Sequence, residues 1–362
     1  MYLAFDYIYN MRILGVMSGS SLDGLDLVSV IYKEGPILNW ELEAYETIDV
    51  PSDICDALRK ITNQVAFEIA DTESRYSKYV AKVINKFVEK LPGQPDCAAV
   101  HGHTVLHLPN IQTSWQLLNG GMCAALTGMD ILCDFRNADM SFGGQGTPMA
   151  VIADRDLFPG YDYYINMGGI ANISLRHNND WKAYDIAPCN QVSNHYAAKK
   201  GYSFDENGQL ACLGKTNTSL LNALLNEDFI KCKPPKSIDN SWIKNYWIPL
   251  IDTFNIGIED VLKTYNTFLI KIIKSQITEN SGKFLFTGGG AKNSYFMDRF
   301  RKEMGDTFEC PLFSENIVDY KESILMSYMA YLRINNRSNF IANATGASCN
   351  VVGGAWYSAQ KS

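Results

Sequence analysis

The sequence predicts an α/β protein built as two related lobes, and three observations carry that expectation. Short strand-like runs alternate with long segments of helical period, the pattern of sheets covered by helices. Two strand–glycine–strand segments, "RILGVMSGSSLDGLDLVSVIY" and "YYINMGGIANISLRH", lie about half the chain apart. A third glycine cluster, "KFLFTGGGAKN", reads as strand, glycines, helix. At 362 residues the chain is long enough for two such lobes.

Taken in order, strand-like segments are expected at 13–17, 25–32, 38–48, 97–101, 131–135, 163–167, 170–176, 181–186 and 283–287. Tyr76, Tyr79, Val80, Val83, Ile84, Phe87, Val88 and Leu91 recur at spacings of three and four, which defines one buried helix face. Val261, Leu262, Tyr265, Phe268, Leu269, Ile272, Ile273 and Ile277 define another. Both stripes are core. A further helix is expected over 293–301, and "KCKPPKSIDN", 231–240, reads as a loop or linker. The first lobe is placed at 11–133, joined by the chain end at 351–362, and the second at 134–350.

Composition narrows the function classes. A net charge of -7 argues against nucleic acid or an anionic membrane as the main partner, because both reward a basic face. Nine cysteines stand singly, with no Cys-x-x-Cys pair, which fits neither a disulfide framework nor a zinc ribbon and suits a reducing cytoplasm. No apolar stretch approaches the roughly 18 residues of a membrane span. The opening "MYLAFDYIYN" lacks a basic start and makes a poor signal peptide, and Met11 is an alternative start to Met1.

A turn rich in glycine and serine presents several backbone N–H groups to one point, and such a concavity binds phosphate oxygens. In "GVMSGSSLDGLDL" the candidates are Gly19, Ser20, Ser21, Leu22, Asp23, Gly24, Leu25 and Asp26; in the second hairpin they are Asn166, Gly168 and Gly169. A carboxylate beside phosphates suits Mg²⁺, held directly or through water, and Asp23 is the candidate. The triple glycine Gly288, Gly289, Gly290 stands where α/β folds approach a nucleotide, although the spacing is neither that of a dinucleotide site nor that of a P-loop. A plain hairpin with turn-forming residues is the simpler alternative for each turn alone.

The motifs together resemble the anhydro-N-acetylmuramic acid kinases, in the superfamily of sugar kinases, heat-shock chaperones and actin. The likeness runs through "GVMSGSSLDGLDL", "HGHTVLH", "DFRNADMSFGGQGTP", "NMGGIANIS", "TGGGAKN" and "TGASCNVVGGAWY", from about residue 13 to 357. It implies an actin-like ATPase fold with a central cleft for ATP and sugar. It also implies an ATP- and Mg²⁺-dependent enzyme of cell-wall recycling, which adds water at C1 of 1,6-anhydro-N-acetylmuramic acid and phosphate at O6. The chemistry is consistent: an ether oxygen accepts a phosphoryl group only as its bond to C1 breaks, so a water must attack C1 and needs one base.

The resemblance assigns that base to Asp185 in "AYDIAPCN", with Pro188 favouring a fixed turn that presents the carboxylate. Here the chain departs from the family's Asp-Thr-Gly-Pro-Gly-Asn: Ile186, Ala187 and Cys189 replace a threonine and two glycines. Ser20 likewise stands where the family has threonine. For the sugar the resemblance points to Arg136, Asn137, Asp139 and Glu322; His103 stands where the family has a residue other than histidine, and is read apart from the resemblance as a donor to sugar or phosphate. A guanidinium is the side chain best shaped to grip a lactyl carboxylate, so Arg136 is assigned that contact. Glu322 is read as opening a helix that buries Ile324, Tyr328, Met329 and Leu332.

Two rival readings stay open. If "HGHTVLH" is extended, His101, His103 and His107 share parity and could present three imidazoles to zinc, making the protein a metallohydrolase. Alternatively, the fold binds ATP without chemistry, as a chaperone-like protein does. A homodimer is expected by family analogy alone.

Overall fold

The computed structural model describes residues 10–18, 24–33, 38–177, 180–234, 236–238, 240–311, 314 and 315–360, side chains at 240 and 315 apart. The chain divides into two units, Met1–Pro159 with Tyr320–Ser362, and Gly160–Asp319. The sequence reading put the first crossing after residue 133 and the return at 351. The crossings fall later and earlier than that because the helices between 136 and 157, and helix Glu315–Ile334 from Tyr320 onward, belong to the first unit. Trp40 Nε1 donates to Leu157 O at 3.2 Å. The buried pair Lys321–Asp154, 2.5 Å apart, ties helix Glu315–Ile334 to helix Ala150–Leu157.

In the first unit, strands β1 (Asn10–Ser18), β2 (Leu25–Lys33) and β3 (Asn39–Ile48) form an antiparallel meander. Strands β4 (Cys97–Val100) and β7 (Asp130–Cys133) extend it in parallel beyond β1. The ribbon β5 (His103–Leu108) and β6 (Thr113–Leu117) stands apart. In the second unit β8 (Tyr163–Met167), β9 (Ile170–His177) and β10 (Asp180–Pro188) repeat the meander. Strands β11 (Gly282–Thr287) and β12 (Phe308–Glu309) run parallel to β8 on its far side. The last strand, β13 (Ala355–Tyr357), returns to pair with β7.

Among the described residues the orders are therefore β13-β7-β4-β1-β2-β3 and β10-β9-β8-β11-β12. Leaving out β13, the two sheets have the same topology, which is the physical content of the repeated hairpin seen in the sequence. Both α/β sheets are covered by helices carrying the two expected stripes. Helix Ala66–Val88 buries Tyr76, Val80, Val83, Ile84 and Phe87 in the first core. Helix Ile258–Ser275 buries Val261, Leu262, Tyr265, Phe268 and Ile273 in the second. The strand β1 is central and largely buried, so it reads as a near-continuous apolar run, whereas edge strand β3 alternates and carries Glu41, Glu43 and Glu46.

Close packing fixes one glycine of the first unit. A Cβ on Gly15 would run into the carbonyl oxygen of Ser323 and come within 3.0 Å of Ser327 N, so helix Glu315–Ile334 lies directly on β1. That helix starts seven residues before Glu322, which is mid-helix and not at its start as the sequence reading had it. Ile324, Tyr328, Met329 and Leu332 are buried as expected.

Candidate functional site

In the first unit the predicted residues gather at the carboxyl ends of β1, β4 and β7, the end at which α/β sheets present ligand groups. His101 follows β4, its N–H donating to Val16 O at 3.0 Å. Its Nδ1 lies 2.9 Å from Gly102 O, which assigns the ring proton to Nδ1 and leaves Nε2 as acceptor. Arg136 donates to that Nε2 at 2.9 Å. Burial and the neighbouring guanidinium push the His101 pKa down to about 3, so the ring is neutral. Burial lowers the Arg136 pKa to about 10, opposed by the Glu322 carboxylate, and the side chain stays charged. Its Nε is buried without a partner among the described residues. Glu322, exposed by area yet crowded by protein atoms, has a raised pKa from desolvation, with Arg136 acting against it.

Asn137 and Asp139, on the same short helix (Arg136–Ser141), turn inward. Asn137 accepts from Ser114 N at 3.0 Å and donates to Asp134 at 2.7 Å, fastening the β5–β6 ribbon. Asp139 is fully buried and accepts from Gly146 N at 2.8 Å and Thr345 Oγ1 at 2.7 Å. These contacts give both residues a role in shaping the loops around Arg136. Thr345 lies in the quoted "TGASCNVVGGAWY" motif, but its pairing with Asp139, 206 residues away, has no local signal.

The zinc expectation fails on register. His103 opposes Leu117 and His107 opposes Ser114, with a bulge between Thr104 and Leu106. Five residues on β5, 103–107, thus match four on β6, 114–117, and the shared parity of the histidines is lost. Among the described residues no group of three His, Cys, Asp or Glu side chains is placed to hold a metal ion. His107 instead meets Ser114 Oγ at 3.1 Å. His103 is buried with Nδ1 unpartnered among the described residues, and burial lowers its pKa.

Of the first glycine turn, Gly19, Ser20, Ser21, Leu22 and Asp23 lie outside the described residues. The flanking pair Ser18–Leu25 closes the hairpin. Gly24 packs on Thr47, Leu25 is buried in the core, and the Asp26 carboxylate accepts from Thr47 Oγ1 at 2.6 Å.

In the second unit the predicted nucleotide residues meet. β8 and β11 run side by side so that Asn166 pairs with Thr287, and both strands end at glycines. Gly288 has φ +77, and a Cβ there would sit 2.5 Å from Asn166 Oδ1 and 2.7 Å from the Met167 carbonyl carbon. Only glycine allows this turn to lie against the second hairpin. Asn190 Nδ2 donates to Met167 O at 2.8 Å. The N–H groups of Cys189 and Asn190 donate to Gly169 O and Gly168 O at 2.9 and 3.1 Å, fixing the turn to the start of helix Asn190–Ala198. Gly290 packs against Met167, and Gly289 lies beside Asn190.

Asp185 sits within β10, as expected of the strand at 181–186, and the strand runs on through Pro188. The register shifts between Asp185 and Ala187, so the bulge at Ile186 and not Pro188 sets the carboxylate's direction. Its N–H donates to Lys236 O at 3.1 Å, and Ile238 N donates to its Oδ2 at 2.8 Å. Burial raises its pKa to about 6, against the Ile238 hydrogen bond and the Lys236 charge. The segment read as a linker is therefore a partner of the predicted base.

The model of one protein family, anhydro-N-acetylmuramic acid kinase, matches residues 11–359. The chain belongs to that family. Among curated anhydro-N-acetylmuramic acid kinases, the protein of Haemophilus influenzae is 30% identical over 372 residues, spanning 94% of this chain and 96% of its own. That of Idiomarina loihiensis is 30% identical over 366 residues, spanning 95% and 98%. Solved structures with similar folds include component A of (R)-2-hydroxyglutaryl-CoA dehydratase from Acidaminococcus fermentans, with TM-score 0.45, 12% identity and coverage of 90% and 99%. A ROK family glucokinase from Streptomyces griseus in complex with glucose and AMPPNP gives 0.40, 12%, 88% and 98%. As an anhydro-N-acetylmuramic acid kinase family member, the protein is an ATP-dependent kinase acting on a small sugar. Neither the hydrolase reading nor a purely binding role is needed. No described helix is long and apolar enough to cross a membrane.

Proposed function

We propose that the protein opens the 1,6-anhydro bridge of anhydro-N-acetylmuramic acid and phosphorylates O6, giving N-acetylmuramate 6-phosphate and ADP. The observation that carries this reading is Asp185: a desolvated carboxyl with pKa about 6, one oxygen pinned by Ile238 N–H, the other without a hydrogen-bond partner among the described residues. A base poised near neutrality suits removal of a proton from water. Asp185 takes that proton as the water oxygen bonds to C1. The C1–O6 bond breaks, O6 bonds to the γ-phosphorus, and the bond to the ADP oxygen is cleaved. Asn166, Gly168 and Gly169 receive phosphate oxygens, and Gly288, Gly289 and Gly290 border the adenosine.

Arg136, already charged and with an unpaired buried Nε, grips the lactyl carboxylate, while His103 and Glu322 bind sugar hydroxyls. Asn137 and Asp139 act one step back by holding the loops. A kinase Mg²⁺ needs few protein oxygens beside the phosphates. Since Asp26 is engaged by Thr47, Asp23 is the residue we assign to it, directly or through water. Bound there, the ion would neutralise phosphate charge. A cytoplasmic homodimer completes the reading.

The test incubates the purified protein with MgATP and the anhydro sugar and follows ADP and phosphosugar by mass spectrometry. Sugar-dependent ADP release is expected. Asp185→Asn should keep binding of both substrates and lose turnover by about three orders of magnitude; near-normal turnover in that variant would end the assignment.

A further inference from the structure

The segment around Lys236 was marked by composition as a linker, yet it is built onto the strand that carries Asp185. β10 is the edge of its sheet, and an edge strand has backbone groups with no ladder partner. At the bulge, Lys236 O accepts the Asp185 N–H and Ile238 N–H donates to Asp185 Oδ2, so two residues of one segment bracket both ends of the same residue. The segment is anchored in turn. Lys236 Nζ donates to Phe229 O at 3.1 Å and Ile230 O at 3.2 Å, and stands 4.7 Å from the centre of the Phe229 ring. Those carbonyls belong to the short helix Asp228–Lys231; Phe229 O also accepts the Cys232 N–H at 3.3 Å, and the carbonyl end of a helix favours a cation.

An ammonium placed this way has given up part of its hydration. Burial lowers the Lys236 pKa, while Cys232 and Asp185 act to raise it. Water would solvate a lysine better, so the arrangement calls for a compensating use.

We propose that Lys236 is a positioning residue for the base. Its ammonium, held on Phe229 O and Ile230 O, fixes the main chain of residues 236–238, and that main chain aims the Asp185 carboxylate so that Oδ1 is the oxygen left to accept the proton. The same charge favours the ionised carboxylate; Lys236 is the charged group acting on Asp185, and Cys232 is the titratable neighbour of Lys236. This inference rests on Asp185 being the base.

Three variants of the full chain separate the contributions: Lys236→Arg keeps the charge and the anchor, Lys236→Gln keeps a donor without charge, and Lys236→Met removes both. Each is followed by the pH profile of kcat/KM for sugar-dependent ADP release. The Asp185 carboxyl is also titrated by carbon NMR, assigned with Asp185→Asn. Lys236→Gln and Lys236→Met should move the acid limb and the Asp185 titration to higher pH together, by about one unit. Lys236→Met should also lower kcat about 10- to 100-fold with KM for ATP unchanged, and Lys236→Arg should restore most of it. If Lys236→Met does not fold, Lys236→Gln decides the matter. An Asp185 titration that stays at its wild-type pH in the glutamine variant overturns the proposal, as does a shifted titration with an unshifted acid limb. Full turnover by Asp185→Asn, by contrast, overturns the base assignment while the NMR readout on Lys236 still stands.

Discussion

Asp185 should make this protein less stable at neutral pH than it would be without the charge, and the size of that effect can be worked out. In the unfolded chain the carboxyl titrates near its ordinary 3.8; in the folded protein burial holds the proton to about 6. Between those values the native state binds more protons than the unfolded state, so stability falls as pH rises through the window and the loss is complete above about 6. At about 1.4 kcal/mol for each tenfold change in proton affinity, the displacement corresponds to about 3 kcal/mol at most. Residual solvent contact makes it smaller.

Asp185→Asn removes the ionisation and keeps an oxygen for Ile238 N–H. The variant should match wild type near pH 4 and exceed it above pH 6.5 by about 1–3 kcal/mol. The assay is urea unfolding from pH 4.5 to 7.5, comparing midpoints of the two proteins at each pH; use of the difference limits errors from a transition with more than two states. A difference that is flat across this range, or a variant less stable at pH 7.5, would refute the desolvation of Asp185 and with it the physical basis for its strength as a base.

Two further substitutions probe backbone contacts. Gly15→Ala puts a Cβ into the Ser323 carbonyl and 2.8 Å from its carbon, where helix backbone cannot yield, so a loss of about 1–3 kcal/mol or more is expected in urea midpoints; an unchanged midpoint would contradict the packing of that helix on β1. Gly288→Ala forces an alanine to φ +77 against Asn166 and Met167, so nucleotide affinity measured by calorimetry should fall at least about tenfold. Retained affinity would move the adenosine away from this turn.

The repeated hairpins were readable because glycine is required where a chain reverses tightly, and β1–β2 and β8–β9 formed as expected. Long helices were readable for a similar reason: one stripe at helical spacing admits one buried face. The ribbon β5–β6 was missed because the bulge between Thr104 and Leu106 breaks its alternation, although the "PNIQ" turn with Gln112 at φ 54 was a usable signal. The boundary at Pro159 was hidden because the helices from Arg136 to Leu157 carry no composition break; what binds them to the first unit is contact with residues such as Thr345 and Lys321, distant in sequence. Asp185 was found through family likeness, but its setting was not. The Pro- and Lys-rich stretch after residue 231 says loop correctly and is silent about a hydrogen bond spanning 53 residues to the carboxylate.

The interruption of one unit by the other bears on how the molecule is born. Gly160–Asp319 is an unbroken stretch with its own sheet and its own apolar interior, so a ribosome releases everything it needs before the second part of the surrounding unit is made. The surrounding unit has no such freedom: its β7 edge stays unpaired until Ala355–Tyr357 emerges, after the whole of the inserted unit. The inserted half can therefore mature on the nascent chain while its host waits with a bare strand margin, the interval in which a newly made copy is most exposed to sticking to another.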